Sequence, residues 1–298
     1  MLRAEKSSVP PREAATDMRA GPRPFLKWVG GKTQLLEQME PLLPPSFKRY
    51  FEPFVGGAAL FFDLHAKGRL TANTSSSRAF LRDVNHELVD AYVAVRDHVE
   101  ALIEALQEHR YESDYYYEVR ALKPAEMPLP KRAARTIFLN KTGYNGLYRV
   151  NKSGQFNVPF GRFTKPSFCD VENLTACSRA LQKVSIEHGD FASVLDHAKK
   201  GDFVYFDPPY VPLSPTSDFT AYIPGGFGEP EQRKLAKVFA KLAQRGVFVM
   251  LSNSDTPLVR ELYAGFRIDT VYASRSVNSN ASRRGKLTEV VVRSYVVS

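Results

Sequence analysis

Cysteine is nearly missing from this 298-residue chain: Cys169 and Cys177 are the only two. Two thiols cannot build a four-ligand metal cage or a disulfide framework, and the six histidines show no ligand spacing. No metal is expected, and a reducing cytoplasm is the default compartment. The chain also lacks an apolar run long enough to span a membrane and a secretory signal, so no membrane partner is expected. No internal repeat is visible. Acid is in deficit, since 41 Lys and Arg against 32 Asp and Glu leave a net charge of +9. That balance fits a polyanionic partner, although a basic surface also serves solubility.

Two nucleotide-binding signatures are missing as well. Gly30-Gly31-Lys32-Thr33 looks like the end of a phosphate loop, but that motif needs a glycine where Leu26 stands. Lys32, opening a helix expected to reach about Leu43, is a candidate to hold an anion or carboxylate; a solvated lysine is the plain alternative. Gly56 and Gly57 are adjacent with no third glycine at the dinucleotide spacing, which argues against NAD or FAD. The strand-turn-helix order from Tyr50 to Ala66 still makes the first unit of a nucleotide-binding sheet, with backbone at Gly56 open to a smaller ligand and Phe54 able to cover it.

What is present centres on Phe203-Val-Tyr-Phe-Asp-Pro-Pro-Tyr210. The apolar run reads as a buried central strand, and two prolines end it abruptly. Asp207, the Pro208 carbonyl and the Tyr210 ring then stand in a rigid row at the strand's carboxyl end, where open α/β sheets bind ligands. Two acceptors beside a stacking face suit a flat amine. A second acid, Asp83, ends the strand expected at Phe80–Asn85, placed to accept from ribose hydroxyls or else to cap a helix over Val84–Val99.

Charge then switches sign. Residues 85–119 carry nine acids against two arginines, while 120–169 carry ten Lys or Arg against Glu126 alone. The basic half reads as a polyanion-binding surface. It contains two short strand-favouring runs around Lys152-Ser-Gly-Gln155, which predict a hairpin suited to the major groove of DNA. Arg149 can grip guanine, Asn145 and Asn151 can pair with base edges or phosphates, and Tyr144 can wedge into a base stack. Further on, strands are expected at Val184–Phe191, Val247–Leu251, Arg267–Ala273 and Leu287–Val297, with a helix over Pro230–Arg245. The loop from Tyr210 to Gly228 is long enough for a lid or substrate channel. Arg275, Arg283, Arg284 and Lys286 sit in a polar loop expected to touch phosphates.

With these residues in view, the chain resembles the DNA adenine methylase (Dam) family from about Phe25 to Val292. The resemblance rests on Phe-Leu-Lys-Trp-Val-Gly-Gly-Lys32, Phe-Glu-Pro-Phe-Val-Gly-Gly57, Gly-Tyr-Asn-Gly-Leu-Tyr-Arg-Val-Asn151, Phe-Asn-Val-Pro-Phe-Gly-Arg162 and Asp-Pro-Pro-Tyr210, in that order. It implies an α/β fold, a Rossmann-like AdoMet-dependent methyltransferase mixed sheet with helices on both faces, plus an inserted, mostly helical target-recognition domain carrying a β-hairpin. Residues 1–23 are then a disordered tail, 24–84 and 170–298 the catalytic domain, and 85–169 the recognition domain. By resemblance, Asp207, Pro208, Pro209 and Tyr210 are catalytic. Trp28, Lys32, Phe54, Gly56, Asp83 and Asp207 line the S-adenosyl-L-methionine (AdoMet) pocket, with Asp190 and Phe191 as neighbours. Lys27, Tyr144, Asn145, Leu147, Arg149, Asn151 and Pro159 fall on DNA-contacting positions, with Arg283 added from its loop. Phe163 stands where some relatives have Tyr.

The implied activity is methyl transfer from AdoMet to N6 of adenine in duplex DNA, at GATC, by base flipping and without a metal, in a monomer of bacterial or phage type in the cytoplasm. An RNA adenine methyltransferase and a non-catalytic DNA-binding module are the alternatives.

Overall fold

The computed structural model describes residues 21–28, 30–70, 78–151, 153–213, 226–273 and 287–297. Residues 1–20 of the expected tail, the serine-rich stretch 71–77, positions 214–225 of the expected lid, and the loop holding Arg275, Arg283, Arg284 and Lys286 lie outside the described residues. Arg23, read above as tail, is tied to the chain 150 residues away. Its N–H donates to Asn173 Oδ1 at 3.0 Å and its guanidinium meets Asp170 at 2.6 Å.

Among the described residues seven strands form one sheet: β1 (Tyr50–Glu52), β2 (Ala79–Asp83), β3 (Ser185–His188), β4 (Phe203–Phe206), β5 (Phe248–Ser254), β6 (Arg267–Ala273) and β7 (Leu287–Arg293). Their order is β3-β2-β1-β4-β5-β7-β6. Pairing is parallel from β3 across to β5, and β7 runs antiparallel to both of its neighbours. The expected mixed α/β sheet is thus observed, with β4 in the middle.

Strand periodicity decides which side chains go where. Along β4, Phe203 and Tyr205 enter one hydrophobic core, while Val204 and Phe206 enter a second on the opposite face. All four are at most 1% exposed. At about 1.5–3 kcal/mol per buried apolar side chain, such a strand is pinned in register. The first core is closed by α1 (Leu36–Met39), α2 (Ala59–Ala66), α3 (His86–Asp97), α4 (Val99–Gln107), α6 (Leu129–Thr142) and α7 (Val171–Leu181), the second by α8 (Val194–His197), α9 (Glu229–Gln244) and α10 (Pro257–Leu262), while α5 (Ser113–Ala121) packs in a third cluster. Helices therefore cover both faces.

Several boundaries differ from the sequence reading for identifiable reasons. The helix expected over Val84–Val99 is two, since Asn85 accepts from Leu88 N–H as an N-cap and His98 leaves helical geometry between α3 and α4. Asp83 is therefore not the cap. The helix expected to reach Leu43 breaks into short turns around Leu36–Met39, with Pro41 ending the α-helical part. β5 runs on through Ser252-Asn253-Ser254, polar residues that are nevertheless buried.

The charge switch has a partly internal explanation. α6 presents Arg132 to Asp90 at 2.7 Å, Arg135 to Glu87 at 3.1 Å and Lys131 to Glu108 at 3.9 Å. Three of the ten cations thus face acids of the preceding segment rather than a partner. α6 also has two apolar faces: Ala133, Ala134 and Ile137 pack on the sheet core, while Phe138 and Leu139 join Tyr116, Val119, Tyr148, Phe156 and Val158 in a third cluster under the hairpin. The hairpin itself is held by antiparallel bridges Gly143 to Phe160 and Val150 to Phe156, not by a regular ladder.

Candidate active site

Continuing the alternation of β4 by one residue points Asp207 to the face of the first core. Lys32, itself 3% exposed, reaches it there, with Nζ at 2.7 Å from Oδ1. The same ammonium lies 4.7 Å from the centre of the Tyr210 ring and donates to the Gly30 carbonyl. Burial pushes the Asp207 carboxyl up to about 6, while Lys32 opposes that shift and Glu289 adds to it. Oδ1 is itself buried, while the side chain as a whole keeps 21% of its surface exposed. One carboxylate oxygen is thus held and the other remains open as an acceptor.

The turn after Asp207 is fastened by three residues whose role was not evident in the sequence. Gln232, on α9, donates from Nε2 to the Pro209 carbonyl at 2.9 Å. Its Oε1 accepts from Asn253 Nδ2 at 3.1 Å, and Asn253 Oδ1 accepts from the Val211 N–H at 3.0 Å. Both amides are buried, at 1% and 0% exposure. Tyr210 donates its hydroxyl to Glu289 Oε2, on β7, at 2.7 Å. The one signal for Asn253 was a polar Ser-Asn-Ser run directly after an apolar strand; Gln232 sits in an ordinary amphipathic helix and left none.

The glycine turn forms the neighbouring wall. Asp83 closes β2, with Oδ1 accepting from Asn85 N–H at 3.0 Å and Oδ2 from Gly56 N–H at 3.4 Å. Burial raises its carboxyl to about 6 despite those donors. Gly56 has φ +45°, and a Cβ there would lie 2.9 Å from Trp28 Cδ1, so only glycine lets the indole approach. Trp28 in turn stacks on Tyr148, with centroids 5.3 Å apart, which joins this wall to the hairpin. Phe54 stacks on Phe191 at 5.2 Å and meets Phe227 edge-on at 5.5 Å. Asp190 is exposed, caps the turn at Ala192 N–H and pairs with Lys234 at 3.0 Å. A half-buried acid at a strand end, a backbone cradle that a Cβ would fill and a stacked aromatic pair fit a nucleoside-containing ligand. Among the described residues no group of three His, Cys, Asp or Glu stands close enough to hold a metal ion. No helix there is long and apolar enough to cross a membrane.

Glu52 ends β1 almost fully buried, accepting from Tyr50 OH at 2.9 Å, and burial holds its carboxyl well above the usual range.

The residues expected to contact DNA share one exposed region. Lys27, Tyr144, Asn145, Arg149, Asn151 and Pro159 are exposed and Leu147 half-buried. Buried Asn140 ties two of these segments, accepting from Lys27 N–H at 2.8 Å and donating to the Lys27 and Gly146 carbonyls at 2.7 and 3.1 Å. Tyr144 N–H donates to the Pro159 carbonyl at 2.9 Å. Lys27 Nζ lies 4.3 Å from the Phe163 ring centre, where a tyrosine would present its ring equally well. Arg149 is engaged with Asn157, from Nε to Oδ1 at 2.8 Å. Asn151 holds the hairpin turn, its Oδ1 accepting from Ser153 and Gln155 N–H groups at 2.9 Å each. Arg283 lies outside the described residues.

Comparison with known proteins bears on the same residues. The profile of the D12 class N6 adenine-specific DNA methyltransferase family matches residues 28–277. A type II methyltransferase of Lactococcus lactis subsp. cremoris, M1.LlaDCHI, is 43% identical over 92% of this chain and 95% of its own length. A second, M.MjaIII of Methanocaldococcus jannaschii, is 41% identical over 92% of this chain and 99% of its own. The DNA adenine methylase of Escherichia coli is 36% identical over 90% of this chain and 94% of its own. With a matching profile that takes in Trp28, the glycine turn, the hairpin and the Asp207 turn alike, the chain belongs to the D12 class of N6 adenine-specific DNA methyltransferases.

Proposed function

We propose that the enzyme methylates N6 of adenine within GATC in duplex DNA after flipping the base out of the helix. The observation that carries this reading is the half-engaged Asp207: Oδ1 is paired with Lys32 at 2.7 Å, and the second oxygen and the Pro208 carbonyl remain for an amino group. AdoMet, when bound, supplies an electrophilic methyl on a sulfonium. Trp28, Gly56, Asp83 and Phe54 would hold it, with Phe191 and Asp190 beside them, Asp83 accepting from ribose hydroxyls.

The chain's own residues do the rest by orientation. N6 is a poor nucleophile because its lone pair is delocalised into the ring. Hydrogen bonds from the amino group to Asp207 and the Pro208 carbonyl draw the nitrogen toward tetrahedral geometry and aim its lone pair. The methylated amine becomes acidic and loses its proton afterwards, so Asp207 need not act as a base before attack. The mechanism calls for no metal. Tyr210 stacks on the extruded adenine, and its hydroxyl bond to Glu289 fixes the plane of that ring. Flipping costs a few kcal/mol, and exposed Tyr144 supports the orphaned partner base. Residues 85–169 serve as the recognition unit. The enzyme acts as a monomer, in the cytoplasm.

The test is transfer of labelled methyl from AdoMet to two duplexes, one with GATC and one with those bases scrambled. N6-methyladenine on the first alone is the expected result. Equal label on both discards GATC, and label only on structured RNA discards DNA.

Two further outcomes follow from the site. Arg149→Ala should relax the choice of one base pair by about 1–3 kcal/mol, since the guanidinium must leave Asn157 to grip a base. Unchanged discrimination in a panel of single-substituted duplexes would refute that role. With AdoMet saturating, the single-turnover rate should fall as pH is lowered through about 6, because Asp207 then gains a proton and is lost as an ionised acceptor. Saturation matters because Asp83 takes up its proton in the same range, which weakens AdoMet binding as pH falls. A flat profile from pH 8 to 5 would show that an ionised Asp207 is not needed.

A further inference from the structure

We propose that Gln232 and Asn253 are positioning residues for methyl transfer, a buried amide relay that sets the direction of the Pro208 carbonyl without touching the adenine. The proposal rests on the reading of Asp207 and the Pro208 carbonyl as the two acceptors of the amino group.

The relay grips the chain on both sides of Tyr210. The Pro209 carbonyl accepts from Gln232 at 2.9 Å, Gln232 accepts from Asn253 at 3.1 Å, and Asn253 accepts from the Val211 N–H at 3.0 Å. Asn253 Oδ1 also takes the Ser254 N–H at 2.8 Å, which fixes the side chain to its own strand. The Gln232 and Asn253 side-chain oxygens and one N–H of each amide are thereby matched, as burial demands.

Orientation follows from the backbone chemistry of this turn. A residue before proline is confined to extended or polyproline conformations, and both Asp207 and Pro208 precede prolines. In such backbone, successive carbonyls point in different directions. The Pro209 ring fixes one of the two dihedrals that separate the Pro208 and Pro209 carbonyls, so holding the Pro209 carbonyl against α9 constrains the direction of the Pro208 carbonyl as well. Neither proline has an N–H, so the turn cannot fasten itself through its own donors, and side chains from α9 and β5 do so instead. α9 and the face of β5 that carries Val249 and Leu251, in register with Asn253, belong to the second core, on the face of the sheet opposite Asp207. The relay thus transmits rigidity from one layer to the reacting edge of the other.

The experiment uses the full-length enzyme and three readouts: AdoMet affinity, duplex affinity and the single-turnover rate of N6-methyladenine formation. Gln232→Met keeps the side chain's length and removes both polar atoms. The expected result is a rate loss of about 100-fold with both affinities within about threefold of wild type, because a misplacement of about 1 Å in the reacting geometry costs about that much. A rate within about threefold of wild type overturns the proposal. Gln232→Glu supplies a second, independent decision, and the deciding one if Gln232→Met does not fold. Its protonated form can donate to the Pro209 carbonyl and accept from Asn253, while its ionised form repels that carbonyl. The ratio of its rate to wild type should rise as pH falls from 8 to 6, and a constant ratio overturns the proposal. Wild-type enzyme that makes no N6-methyladenine overturns the adenine reading and the relay with it; active wild type with equally active variants overturns the relay alone.

Discussion

Asp207→Ala is expected to drop methyl transfer by at least about 10³-fold while duplex binding survives. The substitution removes an acceptor aimed at the reacting amine, a kind of loss that alone costs about 10²–10³ in rate. It also strands the Lys32 ammonium, which is 3% exposed and has Asp207 as its ion-pair partner at 2.7 Å. That cation already lies 4.7 Å from the centre of the Tyr210 ring, so the substitution leaves an unpaired charge beside the stacking face. Asp207→Asn makes the comparison informative, since it preserves shape and one acceptor but presents an amide donor to either Lys32 or the amine. Filter binding and rapid-quench transfer on one duplex separate the two effects. Turnover near wild type in Asp207→Ala would remove this residue from the mechanism, and lost duplex binding would show that the turn supports the DNA surface as well.

Arg135→Ala should have the largest effect on stability, about 3–5 kcal/mol in the free energy of unfolding. Its guanidinium is 2% exposed and joins three helices: Nε donates to the Val119 carbonyl at 3.0 Å, one terminal nitrogen to the Arg120 carbonyl at 2.9 Å, and the other to Glu87 at 3.1 Å. α5 (Ser113–Ala121) ends at those two carbonyls, so the arginine of α6 satisfies the C-terminal groups that a helix leaves unpaired. Removing one partner leaves the half-buried Glu87 without its counter-charge. Burial works against the arginine's own charge, and Glu87 offsets it. Arg135→Met, which refills the volume, should cost less than Arg135→Ala if packing contributes alongside charge. Urea titrations of both variants decide this. A change below about 1 kcal/mol in Arg135→Ala would mean that α3, α5 and α6 hold together without it. Duplex affinity should fall more than AdoMet affinity, because the third apolar cluster carries the hairpin.

The parts of the site that were legible in the sequence are those written locally. β4 announces itself by an unbroken apolar run, Asp207 by two prolines, and the turn at Gly56 by its glycines. Asp83 was legible as a strand end but not as distinct from a cap; the structure separates the two because Asn85 does the capping. Gln232, Asn253, Glu289 and Asn140 were not legible, because each acts on a distant segment: Gln232 on Pro209, Glu289 on Tyr210, Asn140 on Lys27 across 113 positions. Nothing near a glutamine in an amphipathic helix tells which carbonyl it will meet. The internal pairing of part of the basic half was hidden for a related reason. Counting charge along the chain cannot show that Arg132 and Arg135 face Asp90 and Glu87 on a neighbouring helix.

The strand order carries a consequence for how the protein is made. β1 pairs through Tyr50 with Ala79 of β2 on one side and with Phe203 of β4 on the other. The first partner leaves the ribosome within tens of residues, the second about 150 residues after β1. At about 5–20 residues per second, one edge of β1 waits on the order of 10 s for its neighbour. During that interval its backbone donors and acceptors are a template for other chains, and long-range parallel pairing of this kind is slow in any case. Trp28, Gly56 and Asp83 can assemble around β1 and β2 in the nascent chain, but Asp207 arrives only with β4. Synthesis in this order withholds the reacting carboxylate until the middle of the sheet closes.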